Sequence, residues 1–404
     1  MNILVVSQYF PPEPGAPSNR VSAFVEAMVR RGHRVTVVCE FPCYPTGILR
    51  KADKWKLFRR EKRDGYTVVN TYVMTFPVKN NIKRMLYYIS FAVSSFFAVI
   101  LLRRHDVVMV SSPPIFFAYS SMIAALIKRS RFIIDIRDLW PDTAKEVEAV
   151  SSGRLMKWGA FLERGLYKNA TRIFTVSEGI KSKIEQRGGK DKTSIVYNGS
   201  FEEILRWQGS VAQVRERYGW TNKIVITYAG IIGLGQDILA ALPQITKVRR
   251  DDIEFVFIGD GPQKADLVSG FKREGFKNVR FFEAMSQAEV IPYLYASDVL
   301  MVILREIPFF NSAIPSKFFD SMAVGKPIIT NVDGELRKIM ENNQTGLYFS
   351  WRIDGSFAEA VTTLASSPEL RKKMGENGKI LVADRYLRSI IAERAVKIIE
   401  ESRL

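Results

Sequence analysis

From Pro315 to Pro327 the chain reads P-S-K-F-F-D-S-M-A-V-G-K-P: a loop, a helix start, one acid and a small-residue turn before an apolar strand. Ser316 reads as the N-cap, with Lys317, Phe318 and Phe319 in the first helical turn. Phe318 with Met322, and Phe319 with Ala323, pair at i,i+4 on one face, and Asp320 falls off that face. A helix start carries unpaired N–H groups and a partial positive charge, which suits a phosphate. An acid beside such a cradle accepts hydrogen bonds from two neighbouring sugar hydroxyls. The combination predicts a site for a nucleotide-sugar diphosphate. An ordinary first-turn acid that stabilises its own helix is the alternative reading of Asp320.

Other residues with chemistry in them are sparse. Gly259, Asp260 and Gly261 form a glycine-rich strand–helix turn, a signal common to many α/β proteins. Asp135, Arg137, Asp138 and Asp142 gather around one strand end. The two histidines, His33 and His105, fall beside a helix-ending turn and a strand start, and read as structural. Cys39 and Cys43 lack His or Cys neighbours at zinc spacing and read as reduced thiols. There is no D-x-D run, and the expectation is chemistry without a bound metal or other cofactor.

The elements that must position these residues follow one pattern. Apolar runs at Ile3–Val6, Val35–Cys39, Val107–Val110, Phe132–Ile136, Arg172–Val176 and Ser194–Val196 alternate with turn residues and helical periodicity. The second half repeats this at Ile224–Tyr228, Glu254–Ile258, Val299–Leu304 and Pro327–Thr330. A helix is expected near Asn19–Arg31, and a final one near Leu387–Glu400. The fold class is therefore α/β, with two doubly wound Rossmann-like domains of 1–199 and 200–386 and a closing helix in 387–404 that packs across the join. A chain of 404 residues suits two cores better than one. In such folds ligands bind outside the carboxyl ends of the strands, so the expected site lies in a cleft between the domains. Met1–Ser7 reads as a buried strand rather than a signal peptide.

Charge divides the chain unevenly. Residues 1–200 hold 32 Lys and Arg against 16 Asp and Glu, whereas 201–404 hold 27 against 26. The basic excess of the first half implies an anionic partner there. Arg50–Arg63 carries eight basic residues and two acids, with Trp55, Leu57 and Phe58 interleaved. Lys83, Arg84, Arg103 and Arg104 then bracket Met85–Leu102, an 18-residue apolar run holding three serines. That run reads as a buried core helix, as a helix docking into a membrane surface, or as a short span. No nucleic-acid module accompanies the charge, so an anionic membrane surface is the expected partner. Lys54, Trp55, Lys56, Phe58, Arg59, Arg60, Lys83 and Arg84 are the candidate contacts.

Eight short motifs occur in one order. They are F-P-P-E-P-G at Phe10–Gly15, G-H-R-V at Gly32–Val35, T-V-S-E at Thr175–Glu178, V-Y-N-G at Val196–Gly199, I-G-D-G-P at Ile258–Pro262, P-S-K-F-F-D at Pro315–Asp320, M-A-V-G-K-P at Met322–Pro327 and M-G-E-N-G at Met374–Gly378. Over nearly its full length the chain resembles a family 4 retaining glycosyltransferase of the GT-B fold. The R-D-L-W-P-D run and the P-S-K loop further resemble enzymes that build bacterial O-antigen and capsule repeats, including N-acetyl-L-fucosamine transferases.

The resemblance implies roles. The loop ending at Gly15 would close over the donor diphosphate, Gly230 would end the first strand of the donor domain, and Gly259, Asp260 and Gly261 would border the nucleobase. Asp320 would hold the ribose hydroxyls, and amides around Pro315 and Ser316 would bind phosphate. The sequence departs from the family's pattern at Ser312, where a Glu is common, and at Ile231 and Gln236, where a basic pair is common. Lys317, otherwise a plain surface lysine, and Arg305 are then the nearest cations to stabilise a leaving diphosphate, Lys317 the better placed. Asp138 is assigned to the acceptor hydroxyl or the sugar face, with a loop-bracing Asp–Arg pair as the alternative. The implied reaction moves a sugar, such as N-acetyl-L-fucosamine, from a UDP-sugar to a polyprenyl-diphosphate-linked saccharide. The implied place is the cytoplasmic face of the inner membrane, with the protein bound peripherally. A nucleotide-sugar 2-epimerase and a non-catalytic membrane-binding protein of the same fold are the rival readings.

Overall fold

A computed structural model describes residues 1–43, 46–76, 81–140, 142 and 153–402. The chain divides into two compact units, Met1–Tyr197 with Ser389–Leu404, and Asn198–Arg388. Each unit is built on its own sheet.

The first unit holds β1 (Asn2–Val6), β2 (Arg34–Glu40), β3 (Phe58–Arg63), β4 (Tyr66–Thr71), β5 (Val107–Ser112), β6 (Arg131–Ile136), β7 (Arg172–Thr175) and β8 (Thr193–Ile195). Their order is β3-β4-β2-β1-β5-β6-β7-β8, and each described pairing is parallel except β3 with β4. β1 and β5 are buried nearly end to end because helices cover both faces, which is why they read as continuous apolar runs. Helix α1 (Ala16–Arg30) begins at Gly15, whose φ of 121° no side-chain-bearing residue holds comfortably. Helix α2 (Asn81–Leu101) makes the long crossover to β5, followed by α3 (Ile115–Ile127) and α4 (Gly153–Asn169). On α2, Tyr87, Phe91, Ser95 and Val99 are buried at i,i+4 spacing, and Tyr87, Phe91 and Val99 join the unit's core. By length and composition α2 is long enough to cross a membrane; here one stripe of it packs on the sheet and on α3. The closing helix (Arg388–Glu401) meets this unit where Arg31 and His33 bond Glu400, His33 at 2.8 Å.

Within the Arg50–Arg63 stretch, Phe58–Arg63 pairs with β4 as an antiparallel edge strand. Its F-R-R-E-K-R sequence carries no apolar alternation, so it is a strand through its ladder bonds. Arg59, one of the candidate membrane contacts, is held by the protein: it donates to Asp53 at 2.7 Å and to Asn70 at 3.1 Å, both buried, and so braces the loop before β3.

The second unit holds β9 (Ile224–Ala229), β10 (Ile253–Ile258), β11 (Val279–Phe282), β12 (Val299–Val302), β13 (Ile328–Thr330) and β14 (Gly346–Tyr348), parallel throughout in the order β11-β10-β9-β12-β13-β14. Helix α5 (Ser316–Val324) connects β12 to β13 and ends on Gly325 in the left-handed region. Ser316 is the first residue of α5 rather than its cap. Pro315 occupies the cap position with extended backbone, and its carbonyl accepts from the Phe318 N–H at 3.0 Å. Phe318, Phe319, Met322 and Ala323 are fully buried, as their spacing predicts. The M-G-E-N-G motif is a packing device. A Cβ on Gly375 would lie 2.0 Å from the Gly325 carbonyl, and one on Gly378 would lie 3.2 Å from the Met322 Cα.

Candidate active site

In the second unit the carboxyl ends of β9 and β10 run together backbone on backbone. A Cβ added to Gly259 would sit 1.9 Å from the Gly230 carbonyl oxygen, and one on Gly261 would sit 2.3 Å from that of Ile232. Gly230, Gly259 and Gly261 all have positive φ, 142°, 149° and 154°. Their glycine identity follows from this contact. Asp260 is exposed between them, and its carboxylate accepts from the Gly261 N–H at 2.8 Å.

Lys317, in the first turn of α5, folds back over this floor. Its ammonium donates to the Tyr228 hydroxyl at 2.9 Å and lies 4.0 Å from that ring's centroid. A Cβ on Gly230 would come within 2.6 Å of the same nitrogen, so the glycine leaves the space that the ammonium uses. The Tyr228 hydroxyl in turn donates to the Ile231 carbonyl at 2.7 Å, which fixes the ring. Lys317 is partly accessible, yet the protein around it removes enough water to bring its ammonium down to about 7. Among the described residues no carboxylate pairs with Lys317, so its ammonium suits an incoming anion. Pro315 and Ser316 place the α5 N-terminus, with its unpaired amides, beside it.

Asp320 lies one turn further along α5. Its Oδ1 accepts from Ser200 Oγ at 2.7 Å. Burial raises its carboxyl above the usual range, against the opposing pull of Arg388 and the Ser200 bond. Arg388 also donates to the Gly199 carbonyl at 3.2 Å and lies 4.0 Å over the Phe201 ring. Ser312 ends the short turn Pro308–Ser312 and donates to the Phe309 carbonyl at 2.8 Å; Ile231 is exposed.

In the first unit, the acids around the β6 end separate into different duties. Asp135 is fully buried and takes a bidentate pair from Arg20, 2.7 Å at the shortest, plus a bond from Ser111 at 3.0 Å. Arg20 also donates to the carbonyls of Val196 and Tyr197, both at 2.7 Å. The bracing pair is thus Arg20–Asp135, and it joins α1, β6 and the segment after β8. Arg137 turns to Ser111 and the Pro113 carbonyl. Asp142 pairs with Arg187; Pro141 of the same loop lies outside the described residues. Asp138 is exposed at its surface, yet the loss of water around it raises its carboxyl above the usual range, against the opposing charge of Arg137.

Sequence reasoning missed Tyr228, Ser200 and Arg20. Tyr228 looks like one more core residue of an apolar strand, and Ser200 and Arg20 act on partners 120 and 115 positions away.

Comparison with known proteins gives the family and the fold. A family model described as a glycosyl transferase 4-like domain matches residues 15–199, and one described as glycosyl transferases group 1 matches 221–380. The putative colanic acid biosynthesis glycosyl transferase WcaI of Escherichia coli K12 is 25% identical over 336 residues, 80% of this chain and 82% of that protein. The probable glycosyltransferase WbjE of Pseudomonas aeruginosa is 27% identical over 190 residues, 45% of this chain and 46% of that one. Among solved structures, Anabaena Alr3699/HepE in complex with UDP superposes with a TM-score of 0.73 at 14% identity, covering 99% of this chain and 100% of that one. Sucrose-phosphate synthase from Thermosynechococcus elongatus gives 0.76 at 15% identity and 99% coverage of both chains. The chain is a glycosyltransferase of the GT-B type, a glycosyl transferase 4-like domain followed by a glycosyl transferases group 1 domain.

Proposed function

We propose that this glycosyltransferase moves a sugar from a UDP-sugar to a polyprenyl-diphosphate-linked saccharide, with retention of configuration, while bound peripherally to the cytoplasmic face of the inner membrane. The observation that carries the donor half is the Lys317 ammonium, desolvated and paired with no carboxylate among the described residues, at the N-terminus of α5 and over the Gly230 floor. A diphosphate leaving group gains negative charge as the glycosidic bond breaks, and a cation already in place stabilises that charge without reorganising. The Ser316 N–H and the free N–H groups of the following turn, which Pro315 orients, share the phosphate, and Asp320 takes the ribose hydroxyls through the oxygen that Ser200 does not engage. Gly259, Asp260 and Gly261 border the base, and the turn at Gly15 serves the donor diphosphate. Asp138 receives the acceptor hydroxyl or the sugar face. The set uses amides and an ammonium for the diphosphate, so the reaction proceeds without a bound metal.

The acceptor half rests on the surface of the first unit. Ile82, Leu86, Ile89, Val93, Phe97 and Leu101 form an exposed apolar stripe along α2, next to exposed Trp55, Leu57 and Phe58. Lys54, Lys56, Arg60, Lys83 and Arg84 lie among these positions, and a contiguous apolar patch with basic neighbours suits a membrane of anionic lipids. The name of WcaI, a relative in colanic acid biosynthesis, and the UDP bound by HepE support this substrate class. The donor sugar proposed is an N-acetylated amino sugar such as N-acetyl-L-fucosamine.

The test is transfer by the purified protein from a panel of radiolabelled UDP-sugars to a polyprenyl-diphosphate-linked GlcNAc, with and without chelator. A labelled lipid-linked product, unaffected by chelator, is expected. Epimerised nucleotide sugar without transfer, or lipid binding with no turnover across the panel, would each replace this reading with another.

A further inference from the structure

The outer edge of the first sheet carries a feature that membrane docking alone does not require. β3 is an edge strand that α2 leaves uncovered, and the step between them is a groove of about 720 Å³. Alternation along β3 sends Phe58, Arg60 and Lys62 to one face, and their ladder partners on β4 are Thr71, Val69 and Thr67. Phe58 and Val69 from the strands, with Val93, Phe97, Ala98 and Leu101 from α2, give the groove apolar walls. Arg60 is the single charged residue among those that line it.

The groove adjoins a second pocket of about 610 Å³, and Arg60 and Leu102 line both. Arg34, Arg60, Lys62, Arg63, Arg103 and Arg104 line this second pocket, and no Asp or Glu is among its lining residues. Arg63 is paired with Glu61 and Arg104 donates to the Arg129 carbonyl, whereas Arg60, Lys62 and Arg103 make no ion pair with a described residue. So many cations in one concavity repel one another, and a bound anion relieves that repulsion. Both volumes fall in the range of small-molecule sites, roughly 300–1,000 Å³.

Position separates this anion site from the chemistry. Asn2, Arg34 and Tyr66, which line the basic pocket, are the first residues of β1, β2 and β4. The loops that hold Gly15 and Asp138 leave the opposite, carboxyl ends of the strands. A phosphate in the basic pocket is therefore not the diphosphate of a reacting acceptor.

We propose that the groove and pocket form one discrete site for an anionic phospholipid, with a hydrocarbon chain along α2 and the phosphate among Arg60, Lys62 and Arg103. Charge complementarity at one end and an apolar wall at the other fit an amphiphile and neither a free phosphate nor a nucleic acid. The proposal rests on the membrane-docking part of the proposed function and narrows it to a lipid and a place. A lipid held there fixes how the first unit sits on the bilayer.

The test uses the whole protein and two kinds of probe. Native mass spectrometry and calorimetry with dihexanoyl-phosphatidylglycerol, kept below its micelle concentration, read the discrete site. Sedimentation with equimolar phosphatidylcholine–phosphatidylglycerol vesicles reads docking. Wild type is expected to bind one short-chain lipid per chain, and glycerol phosphate at least tenfold more weakly. Arg60→Gln/Lys62→Gln/Arg103→Gln and, separately, Val93→Asp/Phe97→Asp should each weaken the lipid at least tenfold, with unchanged thermal unfolding. No short-chain binding by the wild type, with its vesicle binding intact, would overturn the site and leave docking in place. Short-chain binding without vesicle binding would support the site and remove the docking reading. Equal affinity for glycerol phosphate, or lipid binding unchanged in both variants, would also overturn the proposal.

Discussion

Two regions of this molecule handle negative charge in opposite ways. At the carboxyl ends of β9 and β10, backbone meets backbone through Gly230, Gly259 and Gly261, and one desolvated lysine is held over them by Tyr228. At the amino ends of β1, β2 and β4, six long cations stand around a pocket open to water. The first arrangement is set by contacts so close that a methyl group breaks them. The second is set by charge, with each side chain replaceable and the sum decisive. One cation in a low-dielectric setting supplies what several supply in a high-dielectric one. The first suits charge that develops during a reaction, and the second suits charge that is permanent.

The contrast is breakable, starting where the effect is largest. Lys317→Ala should lower kcat for sugar transfer by about 100-fold or more, as loss of a charge-stabilising donor does elsewhere, with thermal unfolding little changed. A steady-state assay at saturating donor checks this. Gly259→Ala should destabilise the second unit by about 1–3 kcal/mol, because its Cβ has nowhere to go, and urea unfolding reads the loss.

The pH dependence sharpens the same contrast. With Lys317 at about 7 in the free protein, it is charged below that pH and neutral above it. A diphosphate binds the charged form, so UDP affinity should be flat below pH 7 and fall by up to about tenfold per pH unit above it. For folding the sign is opposite. The unfolded lysine keeps its proton up to its ordinary value, so the stability contribution of Lys317 rises with pH from about 7 upward. Calorimetry of UDP binding across that range should show proton uptake in the wild type and none in Lys317→Met.

Smaller effects follow. Asp320→Ala should weaken nucleotide binding by about tenfold, the cost of hydrogen bonds to a charged group, and leave vesicle binding intact. At the other pole, Trp55 is 88% exposed, so Trp55→Ser should change stability by no more than about 0.5 kcal/mol while weakening vesicle sedimentation.

Much of this was legible in the sequence, for identifiable reasons. β1, β2, β5, β6, β9 and β10 are buried on both faces, so their apolar runs announce them. The buried face of α5 follows from i,i+4 spacing alone, and the turn after it from Gly325. β3 was illegible because a charged edge strand leaves no apolar signature, and its partner β4 was lost with it. Val279–Phe282 and Gly346–Tyr348 are the two edge strands of their sheet and only partly buried, so their apolar signature is weak. Within the site, Pro315, Ser316, Lys317 and Asp320 were marked by one local motif. That Lys317 lies on Gly230, or that Asp320 meets Ser200, depends on contacts between distant positions, which no local pattern carries. The glycines of the G-D-G and M-G-E-N-G motifs were visible as motifs, but the sequence did not show that they serve backbone packing.

The most direct test of the account is a calorimetric titration of UDP and of uridine into the wild type and Lys317→Met at pH 6.5. The variant is expected to bind UDP at least about tenfold more weakly, a loss of roughly 1.4 kcal/mol, with uridine affinity unchanged. Equal UDP affinity in the two proteins would contradict it, because the diphosphate would then be held by something other than the lysine over Gly230.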